Sequence, residues 1–495
     1  VIDAVRRALA TGDEGAARSA LRTYWLRLIL ESRTAELEAL CATEGTPGDP
    51  NTLLIRACCR DLQGDHYGAA FLRAQGLRGA SDDFLRCFAE LLLAPDARAK
   101  AQAADRAHLA LAECGPDDDY PAALFLLGFA EVRLRRDFAR ATALLRSACD
   151  EARLHGRPEL LRLAQSNLAF ALTHAGEFAA AEALLAQLPE TEARSDWERF
   201  EGGSPGANRG CIAFWRGDFD TALQHLDGVI DVRGPGTNFE ALARLYLVMC
   251  VVTVRRTERY LTAGQLLRGV STDDKHGVPW DTLRRVTAAW LAAAHGERAE
   301  AIRIAGPALD RPGAAVAHAL LAELFRVLGE PAAARQAIQL AQAAGLPRYA
   351  QASVLVTAAA LGAESGQGSE AHALLEQALA TAASERVLAP FLAADPVLAD
   401  LVNAHARWGS RHPEFLQAVL TRRSTHDGAA LRLTTREREV FAYLRTPMTA
   451  EEIAVDLGVA YPTVKTHIRS IYRKLGVTQR RDAVAAVDEH ALRSP

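Results

Sequence analysis

Through most of residues 1–390 the chain repeats one phrase: a polar turn, a small residue five positions on, then an apolar pair. The phrase is clearest in Gly176-Glu-Phe-Ala-Ala-Ala-Glu-Ala-Leu-Leu, Gly217-Asp-Phe-Asp-Thr-Ala-Leu-Gln-His-Leu and Gly296-Glu-Arg-Ala-Glu-Ala-Ile. Weaker copies begin at Gly12, Gly64, Asp96, Arg136, Glu258, Gly329 and Gly366, with Ala17, Ala69, Ala101, Ala141, Ala263, Ala334 and Ala371 five positions on. From Asp96 onward the starts lie 33–41 residues apart. A turn Gly and an inward Ala at that period predict stacked helix pairs, an all-α solenoid. The Ala is small because the two helices of a pair cross closely there. Neither helix can bury its apolar stripe alone, so neighbouring pairs supply the partner surface.

The pattern changes near the C-terminus, where three short helices separated by brief turns are predicted. Thr434 with Glu437, and Thr449 with Glu452, form Thr-x-x-Glu capping boxes that satisfy orphan amides at a helix start. Gly458 falls where the second helix must end, and Pro462 lies in the first turn of the third, where a missing N–H costs nothing. On the third helix, about 461–475, Val464, Ile468, Ile471 and Leu475 share one narrow sector. Lys465, Arg469 and Arg473 lie roughly opposite, with Thr466 and Tyr472 beside them. An apolar back and a cationic front suit a helix that rests on its own domain and enters a DNA major groove.

Three Gly- and Pro-bearing stretches, about 191–209, 231–238 and 271–279, predict breaks in the helical pattern, all on one edge of the superhelix. Aromatic residues gather in the same segment. Trp197, Trp215, Tyr246, Trp280 and Trp290, with Phe200 and Phe239, either line an inner groove for a ligand or partner peptide or fill the core between helices. Gly202 to Gly210 is no phosphate loop, because no G-x-x-x-x-G-K-[ST] accompanies it and the only lysines are 100, 275, 465 and 474. Residues 421–430, short, polar and unpatterned, read as a linker. The organisation expected is a repeat body over 1–420, that linker, and a separate unit over 431–495.

Charge sharpens this division. Residues 431–495 hold 11 Lys/Arg against 8 Asp/Glu, a balance of +3, so the rest of the chain carries −7. A cationic end on an acidic body favours phosphate contact at that end alone. The eight cysteines, at 41, 58, 59, 87, 114, 149, 211 and 250, contain no C-x-x-C and read as buried thiols. No nucleophile–base cluster, metal spacing or nucleotide loop points to an enzyme, and no cofactor is called for. Val1 to Ala10 lacks a signal-peptide layout, and no apolar run approaches the ~20 residues of a membrane helix, so a cytoplasmic location is expected. A first residue Val in place of Met hints at residues upstream.

Leu433 to Val440, Glu452 to Leu457, Thr463 to His467 and Ile471 to Val477 follow the pattern L-T-x-R-E-x-E-V, E-I-A-x-x-L, T-V-K-x-H and I-x-x-K-L-x-V. In this the segment resembles the LuxR/GerE-type helix-turn-helix domain of bacterial transcription regulators, a four-helix unit. Pro447, Ala460 and Tyr461-Pro462 depart from the usual residues. A tetratricopeptide-like body ahead of such a domain is similar to the C-terminal part of MalT-like regulators, which carry an ATPase before the repeats; the sequence shows none. The resemblance implies base reading by Lys465, Thr466 and Arg469. It implies phosphate contact at Thr463, Lys474, Gln479 and Arg480, to which Arg473 on the cationic front is added. It also implies pairing on DNA through the last helix, about 479–489, with Ala483, Val484 and Val487 on one side. The expected function is a sequence-specific DNA-binding regulator that works as a homodimer, with a small-molecule or protein effector on the repeats and RNA polymerase a candidate partner. The competing reading is a scaffold that holds partner proteins on its solenoid, with a secondary DNA-binding role.

Overall fold

The computed structural model describes residues 2–483 except 44–47, 115–118, 189–203, 234–237, 257–258, 271–278, 312–313, 344, 394, 431–434, 447, 475–476 and 482. Among the described residues there are 26 α-helices and no strand. Nine of the ten repeat phrases begin on the turn inside a helix pair, such as Pro158–Ala175 with Phe178–Leu185, or Arg348–Glu364 with Gly368–Ala383, and Glu258, where the tenth begins, lies outside the described residues. The turn glycines Gly12, Gly64, Gly176, Gly217, Gly296, Gly329 and Gly366 all take φ between +72° and +91°. A left-handed residue after the last helical turn satisfies otherwise orphaned carbonyls, and only Gly does so without crowding its own Cβ. Arg135 and Arg255, both at φ +52°, hold the equivalent place in two pairs.

The inward Ala is buried in nine of the ten pairs; Ala101 is the exception. Asp96 is the N-cap of Ala97–Ala112, accepting from the Ala99 amide, just as Asp13, Asp65 and Asp137 cap their helices. The buried position lies four residues after such a cap, and here it is Lys100, 8% exposed. The expected register was therefore one residue late in this pair.

The first helices of successive pairs, from Tyr120–Leu134 through Pro205–Trp215 and Asn238–Thr253 to Pro396–Trp408, each pack on the next and form a continuous inner wall. The wall curls back on itself. Tyr349 Oη donates to the His174 carbonyl at 3.3 Å, and the Ala179 amide donates to Glu385 Oε2 at 2.9 Å. Arg216 Nε reaches the Glu385 carbonyl at 3.3 Å, and the Phe178 and Tyr349 rings stack 5.8 Å apart. Pairs separated by about 170–206 residues thus meet, and the superhelix encloses a lumen.

Two expectations are corrected. Residues 421–430 are not an irregular stretch: the helix Pro413–Ala430 runs through them. Phe415, Leu416 and Val419 bury its first turns, and Arg422 then donates to the Gly217 carbonyl at 2.9 and 2.7 Å. Arg423 donates to the carbonyls of Phe391 and Ala393. A polar stretch continues a helix when its long side chains find carbonyls on the body. The break placed at 191–209 also ends early, because Pro205–Trp215 is helical. There Gly206 and Gly210 are contact residues: a Cβ on Gly210 would lie 2.6 Å from Leu226, so only Gly lets the two helices approach. Similarly, helix Phe219–Arg233 enters the break placed at 231–238, and Asn238–Thr253 begins at its far edge. Residues 189–203, 234–237 and 271–278 lie outside the described residues, and so does the shared edge expected for the three breaks. All eight cysteines are free, and seven of them are buried. No helix among the described residues is long and apolar enough to cross a membrane.

Candidate nucleic-acid interface

Three helices, Thr435–Leu444, Ala450–Asp456 and Tyr461–Lys474, build the site. The second starts at a complete capping box: the Thr449 amide donates to Glu452 Oε2 at 2.7 Å, and the Glu452 amide to Thr449 Oγ1 at 3.3 Å. It ends at Gly458, φ +62°, where the Val459 amide turns back to the Ala454 carbonyl at 3.0 Å. The Thr434 half of the other expected box lies outside the described residues.

The apolar back of the third helix is seated as expected. Val464 and Ile471 are fully buried beside Val440, Phe441, Leu444 and Ile453, and Ile468 packs on the same cluster. Leu475 lies outside the described residues. Polar contacts fix the helix further. Ser470 Oγ donates to Glu437 Oε1 at 2.6 Å, and Arg436 Nη2 donates to the Leu457 carbonyl at 3.1 Å across the first and second helices. Tyr443 and Asp456 are joined by a short hydrogen bond.

Lys465, Thr466, Arg469 and Arg473 stand exposed on the opposite side. Lys465 Nζ lies 4.9 Å from the centre of the Tyr461 ring, a cation–π contact that directs the ammonium along the helix front. The Glu451 carboxyl beside them is held below its usual range, first by its own backbone amide and then by the Tyr461 hydroxyl, with Lys465 contributing. Thr466 Oγ1 donates to the Pro462 carbonyl at 2.9 Å, which leaves its lone pairs and methyl outward. Arg469 has no hydrogen bond or ion pair among the described residues, whereas many arginines of the body sit on a carboxylate. Arg473 Nη2 reaches Ser470 Oγ at 3.4 Å. Thr463 and Gln479 are exposed. The side chain of Lys474, and all of Val484 and Val487, lie outside the described residues.

Two candidate residues are used inside the domain. Arg480 donates through Nε to the Leu444 carbonyl at 2.9 Å, through Nη1 to Met448 at 2.5 Å and through Nη2 to Tyr443 at 3.0 Å, with Thr446 also bonded. It closes the C-terminal end of the first helix and the turn after it, a use inside the domain besides the phosphate role expected for it. The next residue, Arg481, is exposed and was passed over in the sequence. Ala483 is fully buried in the domain's own core, which removes it from any pairing surface.

The aromatic residues of the body divide as well. Trp215, Tyr246 and Trp290 line the lumen, whereas Trp280 is buried in the core and Trp197 lies outside the described residues. Arg135, His174, Phe214 and Tyr349 join them at the lumen, far from them in sequence or hidden in ordinary repeat positions.

Residues 431–487 match the family described as "GerE: Bacterial regulatory proteins, luxR family". Among solved structures the chain is similar to the one titled "Crystal structure of APC/C hetero-tetramer Cut9-Hcn1", at 14% identity and a TM-score of 0.38, with 98% of each chain covered.

Proposed function

With residues 431–487 forming a LuxR-family helix-turn-helix domain, we propose that this protein is a sequence-specific DNA-binding transcription regulator whose repeat body governs when the domain acts. One observation carries the reading: Lys465, Thr466 and Arg469 are exposed on a helix whose other face is seated on its own domain, and no carboxylate among the described residues pairs with Arg469. A guanidinium left free in this way can donate two parallel hydrogen bonds to guanine O6 and N7. Thr463, Arg473 and Gln479 flank it and would fix the register through phosphates. Arg480 acts at one remove, by holding the turn between the first two helices.

A single domain offers a small interface, so two copies on half-sites about one helical turn apart would supply the affinity. The scaffold reading is weaker, because the closed superhelix gives an extended partner little open inner surface. Selection of genomic fragments by the purified protein tests the proposal. Recovery of one shared motif by the wild type, lost in a Lys465→Ala/Arg469→Ala double variant, supports it; fragments without a common motif overturn it.

A further inference from the structure

The lumen holds an outer chamber of about 570 Å³ that shares Phe214, Trp215, Met249 and Leu320 with a narrow inner chamber of about 50 Å³. The outer volume is that of a pocket for a small organic molecule. Its walls are mainly apolar and aromatic, with Trp215, Phe219, Tyr260 and Trp290, and Arg255, Glu323, Asp395 and Arg473 add charge. In the inner chamber Tyr349 lies 4.5 Å from Trp215, and Tyr246 meets Phe214 edge-on at 5.4 Å. Trp215 Nε1 donates to Tyr246 Oη at 3.1 Å and Tyr349 Oη to the His174 carbonyl at 3.3 Å, so these polar edges are occupied and the rings are fixed.

The inner end differs. Arg135, the left-handed residue closing helix Tyr120–Leu134, places its guanidinium there, and its buried Nε has no hydrogen-bond partner. Among the described residues no carboxylate pairs with it. By contrast, Arg326 lies 2.8 Å from Glu364 and 2.9 Å from Asp395, and Arg157 pairs with Asp119. His174, 2% exposed, turns toward the same chamber with Nε2 unbonded; burial and Arg135 hold its pKa well below the usual value, so it is neutral. A desolvated cation beside a neutral imidazole, among apolar walls, lacks one negative charge.

We infer that the lumen binds a small monocarboxylate with a flat or extended apolar body, its carboxylate on Arg135 and His174 in the inner chamber beside Tyr349 and its body against Trp215 and Trp290 in the outer one. One cation lines the inner chamber, which sets one negative charge, and a space of about 50 Å³ takes a carboxylate rather than a bulkier polyanion. The inference rests on reading the body as the sensing part, and it adds a means. Tyr349 and His174 belong to pairs that meet only because the superhelix closes, so a ligand between them favours the closed form.

The test uses the full chain without DNA, so its outcome is independent of the DNA-binding reading. Thermal unfolding is followed with 2-naphthoate, octanoate, the uncharged 2-naphthamide and inorganic phosphate. At least one carboxylate should raise Tm by roughly 3 °C or more at a hundredfold excess over its Kd. The amide and phosphate should not. Arg135→Met should abolish the shift and, without ligand, should melt no lower than the wild type, because it removes an unmatched buried charge. A less stable Arg135→Met variant would mean that the residue is a structural anchor. No shift with either carboxylate, or an equal shift with the amide or with phosphate, would overturn the ligand class.

Discussion

Ser470 on the helix Tyr461–Lys474 donates a 2.6 Å hydrogen bond to Glu437, a carboxylate only 4% exposed on the first helix of the same domain. The bond crosses the domain beneath the cationic front, so the angle at which Lys465 and Arg469 leave the surface depends on it. Hydrogen bonds to charged groups contribute about 1.5–3 kcal/mol. Ser470→Ala should destabilise the domain by about 1–2 kcal/mol and weaken DNA binding without changing its salt dependence. Chemical denaturation and binding at several salt concentrations check both effects.

Arg480 offers a sharper discrimination, because its two candidate roles respond differently to Lys. A fork on the carbonyls of Leu444, Met448 and Tyr443 cannot be rebuilt by an ammonium. Arg480→Lys should therefore cost about 2 kcal/mol of stability and leave the slope of log Kobs against log salt intact. Unchanged stability in Arg480→Lys, with the slope reduced by about 1 in Arg480→Gln, would support the phosphate role instead.

In the body, two glycines of one neighbourhood should respond oppositely to Ala. A Cβ at Gly210 would lie 2.6 Å from Leu226, so Gly210→Ala should destabilise by about 1–3 kcal/mol. Gly228, exposed in helix Phe219–Arg233, has nothing within 4 Å, and Gly228→Ala should stabilise by up to about 1 kcal/mol. Tm measurements on the two variants decide the matter.

Glu323, on the lumen wall, gives the body a pH dependence. Burial pushes its carboxyl up to about 7, against some lowering by Arg326, whereas the unfolded chain holds it near 4.5. Between these values the folded state binds the extra proton, so this contribution is full below pH 4.5 and is lost as pH rises toward 7. Glu323→Gln should leave stability at pH 4.5 nearly unchanged and, discounted for partial exposure, raise it by about 2 kcal/mol at pH 8. Denaturation curves across that range give the answer.

The repeat was legible because a left-handed turn and a tight helix crossing each restrict residue type, and both leave a mark on the sequence. Where Lys100 took the small position, the mark was displaced by one residue. The helix over 421–430 was missed because its support is a pair of arginines on distant carbonyls, which composition cannot show. The closure of Tyr349 on His174 was illegible for the same reason, as was the setting of Arg135. Within the C-terminal domain the two faces of the third helix could be read from its period. The inward uses of Arg480 and Ala483 could not, since each depends on how the chain returns after residue 476.

The most direct measurement compares wild type and Arg469→Ala on an operator and its full set of single-base variants. The wild type should discriminate at one position by about 1–3 kcal/mol, and the variant should bind all four bases there about equally while keeping its preferences elsewhere. Undiminished discrimination at every position would contradict a base-reading role for Arg469 and, with it, the orientation of the whole domain on DNA.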